Sequence, residues 1–153
     1  MIQRIQTLYL LIADLLIAML FFVPFAELAD KSGSIYQFNV FGIVKEGASN
    51  GTIQTFWPIL VLVCLVLIIL NLIILNYKRR TTQIKLCYVA IFLMVCLTGL
   101  FYFYLSRATN SFGGTNSFKI YASFPLESAI FVYLALRGIV KDENLVKSID
   151  RIR

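Results

Sequence analysis

Histidine is absent from the 153-residue sequence. That removes the commonest general base and the commonest metal ligand. Cysteine is scarce: Cys64, Cys87 and Cys96 all lie within apolar runs, and none forms a CxxC pair. An odd number of thiols in such runs argues against a disulfide framework and assigns them to small apolar packing. Charge is scarce too. Charged residues make up 14% of the chain and hydrophobic residues 59%, where a soluble domain carries about 25% charge. A chain this apolar cannot cover a water-facing surface, so lipid is part of its solvent. The length suits one domain, 1–153, because helices and short loops use up the chain.

What is present is a set of long apolar runs. The clearest is 58–77, with fifteen Leu, Ile and Val residues against Asn71 and Asn76. At roughly −0.3 to −0.6 kcal/mol each on the insertion scale, those fifteen outweigh two asparagines. Pro58 opens the run, where a missing N–H costs nothing. Further runs at about 7–24, 86–105 and 121–140 give four expected spans, each near the roughly 20 residues a bilayer requires. The first run is too long for a signal-peptide core and has no clean small-x-small site after it. Outer loops are expected at 25–57 and 106–120, and a cytoplasmic tail at 141–153.

The formal charge is +6. In a soluble protein that would raise the question of nucleic acid. Here the basic residues stand at the ends of apolar runs, where they set orientation and meet anionic lipid. Ten of the fourteen Lys and Arg residues fall on one side: Arg4, Lys78, Arg79, Arg80, Lys85, Arg137, Lys141, Lys147, Arg151 and Arg153. The other side has Lys31, Lys45, Arg107 and Lys119. The positive-inside rule makes the first side, with both termini, cytoplasmic. Phe21, Phe22, Phe25, Phe56, Trp57, Phe101 to Tyr104, Tyr121 and Phe124 cluster at the opposite ends and read as an outer interfacial belt.

In the first outer loop, Tyr36, Phe38 and Val40 alternate with Gln37, Asn39 and Phe41, the period of a strand. Asn50-Gly51 is a hairpin-turn dipeptide. A small outer hairpin is expected. The second loop is rich in Ser, Thr, Asn and Gly and reads as an ordinary flexible connection. The expected fold class is therefore an all-α membrane protein: a four-transmembrane-helix bundle with a small extracytoplasmic hairpin loop and a C-terminal cytoplasmic helix.

Three stretches carry a family resemblance. They are residues 1–11, opening Met1-Ile-Gln-Arg; residues 76–87, Asn-Tyr-Lys-Arg-Arg-Thr-Thr-Gln-Ile-Lys-Leu-Cys; and residues 141–153, Lys-Asp-Glu-Asn-Leu-Val-Lys-Ser-Ile-Asp-Arg-Ile-Arg. Together they span the whole chain. The sequence resembles the bacterial four-helix membrane family known as a domain of unknown function, DUF4293. The resemblance implies a multi-pass protein of the bacterial inner membrane. It implies no activity, cofactor or catalytic residue.

The polar groups then decide what function can be read. Asp14 is charged at lipid depth, and insertion scales place such an aspartate at about +2.5 to +3.5 kcal/mol. Asp14 and Asn71 sit at similar depth, roughly 10 to 14 Å from the cytoplasmic ends of their spans. A protonated Asp14 bonded to Asn71 is one reading; a proton or cation site is the other. Ala18, one turn on, would admit a neighbouring helix. Glu127, two residues past Pro125, suits a first helical turn at the outer interface, unless the fourth span begins near Phe118. At the cytoplasmic face, a helix over 141–153 places Leu145, Val146, Ile149 and Ile152 on one stripe. Asp142, Glu143 and Asp150 stand within reach of Arg79, Arg80 or Lys85. That surface is either a docking site or a solvated anchor.

No catalytic, cofactor-binding or metal-binding residue emerges, and no small-molecule substrate. The expected partners are the lipid bilayer and another membrane protein or a second copy, not nucleic acid. The expected role is a non-catalytic accessory or scaffold subunit of a membrane complex. The alternative is a small oligomeric proton- or cation-coupled transporter using Asp14.

Overall fold

Buried residues recur along the helices at alternating steps of four and three. In α1 (Ile2–Met19) they are Gln6, Leu10, Ala13 and Ile17. In α2 (Trp57–Leu75) they are Ile59, Val63, Val66, Leu70 and Ile73. In α3 (Arg80–Phe112) they are Gln83, Cys87, Ala90, Met94, Leu97, Phe101, Leu105 and Ala108, and in α4 (Phe124–Asp150) Ser128, Val132, Ala135 and Ile139, with Ala129 and Leu136 buried beside them. A period of 3.5 residues draws a seam along each helix, the pattern of left-handed bundle packing. A computed structural model describes residues 2–30, 34–46, 52–77, 79–112 and 115–150, with side chains described for 5–30, 34–46, 55–77, 79–110 and 117–145. In it α1 packs on α2 and α4, and α3 packs on the same two helices, closing a ring of four.

The α1–α4 seam is built from small residues. Ala13, Ser128 and Ala135 are fully buried there. Small side chains let helix backbones approach closely where lipid supplies no hydrophobic drive. Ser128 Oγ uses that approach to donate to the Ala13 carbonyl at 3.2 Å.

Three stretches are long and apolar enough to cross a membrane: Trp57–Leu75, Arg80–Asn110 and Ile120–Leu145. A shorter apolar helix, Ile5–Met19, lies beside them. The third helix outgrows the expected span at 86–105. Its 33 residues rise about 50 Å, well beyond a hydrocarbon core of about 30 Å. The fourth begins with a short 3-10 turn, Ile120–Ser123, and then runs unbroken to Asp150. The expected tail helix is thus continuous with it over the described residues.

The expected all-α class needs correction. A five-stranded antiparallel sheet caps the end of the bundle where α1 finishes and α4 starts. Its strands are β1 (Ala26–Ala29), β2 (Ile35–Asn39), β3 (Gly42–Lys45), β4 (Thr52–Thr55) and β5 (Thr115–Phe118), in the order β4-β3-β2-β1-β5. The alternating stretch around Tyr36 and Phe38 is β2. The expected turn at Asn50-Gly51 lies outside the described residues, and β2 is followed by a tight turn of its own. It is at Val40-Phe41, where Asn39 pairs with Gly42 across a two-residue loop. Gly42 has φ 148°, a conformation that a side chain would strain.

The second outer loop also differs from the expected flexible connection. It continues α3 to Phe112 and then supplies β5, which pairs with β1 from Ala26↔Phe118 to Ala29↔Thr115. A free edge on β1 offers a row of unpaired backbone groups, and that demand overrides the polar composition of the strand that fills it. Lys119 N–H extends the pairing to the Phe25 carbonyl at 3.1 Å, and the Lys119 ammonium meets the Glu27 carboxylate.

Sheet and bundle are joined by aromatic rings. Phe25 stacks on Phe101 with centroids 4.1 Å apart and planes 5° from parallel. Phe38 stacks on Phe56, which leans on Tyr104 at 4.7 Å. Phe25, Phe56 and Phe101 are therefore core residues rather than members of an interfacial belt. Phe22, Trp57, Tyr102 and Phe103 do face outward.

Candidate functional site

Two polar constellations stand out. The first lies at the end of the bundle away from the sheet. There α1 begins, α2 hands over to α3, and α4 finishes. The start of α3 has backbone N–H groups to satisfy, and Gln83 N–H reaches back to the Arg79 carbonyl. The Gln83 side chain, buried on the α3 seam, donates to the Ile73 carbonyl of α2 at 3.0 Å. On α1, Gln6 occupies the seam one turn before Leu10. Its Nε2 donates to Asp142 Oδ2 at 2.8 Å. Arg80 Nη1 donates to the Asp142 backbone carbonyl at 3.2 Å, and Thr81 Oγ1 donates to Glu143 Oε1 at 3.3 Å. All four helices meet in this clamp.

Gly138 is what lets Gln6 in. A Cβ at that position would stand 3.0 Å from both Cγ and Nε2 of Gln6. The absence of a side chain one turn before Asp142 therefore leaves room for the Gln6 amide that meets its carboxylate. Among the described residues the Asp142 carboxylate is not ion-paired with Arg79, Arg80 or Lys85. Arg80 reaches the backbone carbonyl of Asp142 instead, while Arg79 and Lys85 remain exposed. Leu145 is also exposed. The side chains of Val146, Ile149 and Asp150, and Ile152 entirely, lie outside the described residues.

The second constellation joins α1 and α2 midway along the bundle. Asn71 Nδ2 donates to Asp14 Oδ1 at 3.3 Å and to the Leu67 carbonyl, one turn earlier, at 2.9 Å. Both amide hydrogens are thereby used. The amide oxygen of Asn71 and the outward lone pairs of Asp14 have no further partner among the described residues. Neither residue is on the seam. Asp14 is half-buried and Asn71 exposed, so the pair lies on the outer face of the bundle. Leu11 on α1 and Cys64 and Leu75 on α2 flank it at helical spacing and are exposed.

Glu127 stands in the first turn of α4, at the sheet end, and accepts from Ser123 Oγ at 2.6 Å. Its neighbour Ser128 bonds to the Ala13 carbonyl, so Glu127 lies near Asp14's level on a different helix, and the two carboxylates have separate partners, Ser123 and Asn71. Among the described residues no group of three Cys, Asp or Glu gathers in a metal-holding arrangement.

Sequence reasoning brought Asp14 to Asn71 but missed Gln6, Thr81, Gln83, Ser128 and Gly138. A signal existed for three of them. Gln6, Gln83 and Ser128 interrupt a 3.5-residue seam at positions where apolar residues otherwise recur, and a polar group buried there must find a partner. Gly138 carries no such signal, since a glycine in a helix shows its purpose only when the neighbour it admits is known.

No curated protein matches the chain. The model of a domain of unknown function, DUF4293, matches residues 2–152, so the chain belongs to the DUF4293 family.

Proposed function

We propose that the chain is a four-span protein of the bacterial inner membrane, with both termini in the cytoplasm, serving as a non-catalytic accessory or scaffold subunit of a membrane protein complex. α1 supplies the fourth crossing in this reading. Its 18 residues rise about 27 Å, close to the hydrocarbon thickness, and it lies against α2 and α4. The basic residues Arg79, Arg80, Lys85, Arg137 and Lys141 then share the cytoplasmic side.

The observation that carries the proposal is the outward-facing Asp14–Asn71 pair. Ionisable groups inside membrane proteins face a bundle interior or a watery cavity, because hydrocarbon cannot satisfy them. This pair faces neither. It has spent its donors internally and turns acceptors toward lipid. A helix from another protein, laid along Leu11, Asp14 and Leu75, supplies the donors that lipid lacks. A subunit that docks in this way needs no catalytic group of its own.

Photo-crosslinking tests the idea. A crosslinker at Leu11 or Leu75 should capture one discrete protein species in intact membranes, while one at Phe92 on α3 should capture lipid. Asp14→Leu should abolish the Leu11 product, and Asp14→Asn should keep it, because the amide preserves hydrogen bonding. Lipid adducts at all three positions would defeat the subunit reading. Loss of cellular function in a folded, inserted Asp14→Asn protein would move the assignment to proton- or cation-coupled transport. Reporter fusions after Arg80 and Arg153 should both report cytoplasm, and a periplasmic C-terminus would defeat the four-span topology.

A further inference from the structure

The last turns of α4 sort their charges by face. Asp142 and Glu143 turn to the clamp, where Gln6, Arg80 and Thr81 engage them. Arg137 and Lys141, one turn apart, turn the other way. They line a cleft of about 610 Å³ between α3 and α4, with Tyr88 from α3 and Tyr133, Val140 and Asn144 from α4. Both cations are exposed, and neither has a hydrogen-bond or ion-pair partner among the described residues. The acids nearest in sequence are already committed elsewhere, so the cleft carries two uncompensated positive charges.

We propose that this cleft is a binding site for an anionic phospholipid, with Arg137 and Lys141 holding its phosphate diester. A guanidinium fork and an ammonium one turn apart match phosphate oxygens with charge-assisted hydrogen bonds. Tyr88 and Tyr133, both more than half exposed, place amphipathic rings at the level where headgroups meet hydrocarbon. Asn144 adds an amide donor above them. Arg137 lies just inside the end of the fourth apolar stretch, so its stem runs over apolar surface while its head reaches the polar layer.

What selects a lipid over a free anion is the surface beyond the cations. Val89, Phe92 and Val95 on α3, and Ile130 and Leu134 on α4, are exposed and apolar. They continue the faces of Tyr88 and Tyr133 toward the sheet end, an acyl-chain track that inorganic phosphate has no use for. Basic pockets between helices on the cytoplasmic side are the expected form of such sites. The inference needs the membrane setting proposed above, but not the Asp14–Asn71 partner.

The test uses the full chain in mild detergent. Thermal unfolding and native mass spectrometry are followed with phosphatidylglycerol, with phosphatidylcholine of the same acyl chains, and with inorganic phosphate. Phosphatidylglycerol should raise the unfolding temperature and stay bound, in a salt-sensitive way, while the other two should do neither. Arg137→Gln with Lys141→Gln should weaken that binding about thirtyfold, at roughly 1 kcal/mol per cation. Lys45→Gln, at the sheet end, should leave it unchanged. Equal effects of the two lipids would reduce the cleft to a generic greasy surface and overturn the proposal. So would an equal effect of phosphate alone, or unchanged phosphatidylglycerol binding in a folded double variant. If the double variant does not fold, a wild-type response that ignores salt and headgroup overturns it as well.

Discussion

The two ends of the bundle are closed by different forces. At the sheet end, Phe25, Phe38, Phe56 and Phe101 are buried and their rings stack between strands and helices. At the opposite end, Gln6, Arg80, Thr81, Gln83, Asp142 and Glu143 close the bundle through hydrogen bonds. Apolar burial scales with area, and closely packed rings resist displacement. A hydrogen bond has a narrow geometry, and its net worth is about 0.5–1.5 kcal/mol. The sheet end is therefore a rigid cap, and the clamp end is the one whose arrangement a bound molecule or a charge can shift.

Removing a ring should produce the largest effect. Phe101→Ala takes away the partner that Phe25 stacks on at 4.1 Å, and truncating a buried phenylalanine costs about 3–5 kcal/mol. Thermal unfolding in detergent should show it, with hydrogen exchange rising first in the sheet. A loss no greater than that of a clamp variant would break the distinction between the ends.

Gln6→Leu should come next. It leaves the Asp142 carboxylate without its described side-chain partner, at about 1–3 kcal/mol, and exchange should rise in the last turns of α4 rather than in the sheet. A double-mutant cycle sharpens this. Gly138→Ala alone should be neutral or harmful, because the added Cβ meets Gln6 at 3.0 Å. In a Gln6→Ala background the same change should stabilise by about 1 kcal/mol, the helix preference of alanine over glycine. Additive effects would show that Gly138 does not serve Gln6.

Thr81→Ala should have the smallest effect. Its bond to Glu143 is exposed and 3.3 Å long, so about 0.5 kcal/mol or less is expected in the same unfolding assay. A larger loss would mean that the clamp acts as one cooperative unit.

Much of this was legible in the residues, but unevenly. The helix Trp57–Leu75 and the 86–105 part of the longer stretch Arg80–Asn110 followed from long apolar runs, while the polar extensions of the latter did not. The strand around Tyr36 followed from alternation, because one of its faces packs on the bundle and the other does not. β5 was not legible: Thr-Asn-Ser-Phe has no strand pattern, and it becomes a strand because β1 offers it an edge. The pairing of Asp14 with Asn71 could be anticipated from matching depth. That both would sit on the outer face could not. Nor could the bond of Gln6 to Asp142, which uses the space left by an absent Cβ at Gly138.

The sequence by itself determined the long apolar helices. A chain with 59% hydrophobic residues and 14% charged ones has helices long and apolar enough to cross a membrane, and backbone polar groups in lipid must be satisfied within a helix. Only the tertiary structure decided which face of each helix is inside. α2 holds fifteen Leu, Ile and Val residues among its nineteen, yet only Ile59, Val63, Val66, Leu70 and Ile73 are buried. In water the inner face of a helix announces itself by being apolar. In a bilayer the outer face is just as apolar, so shape and small residues such as Ala13, Ser128, Ala135 and Gly138 choose the seam, and those choices exist only once the neighbouring helix is in place.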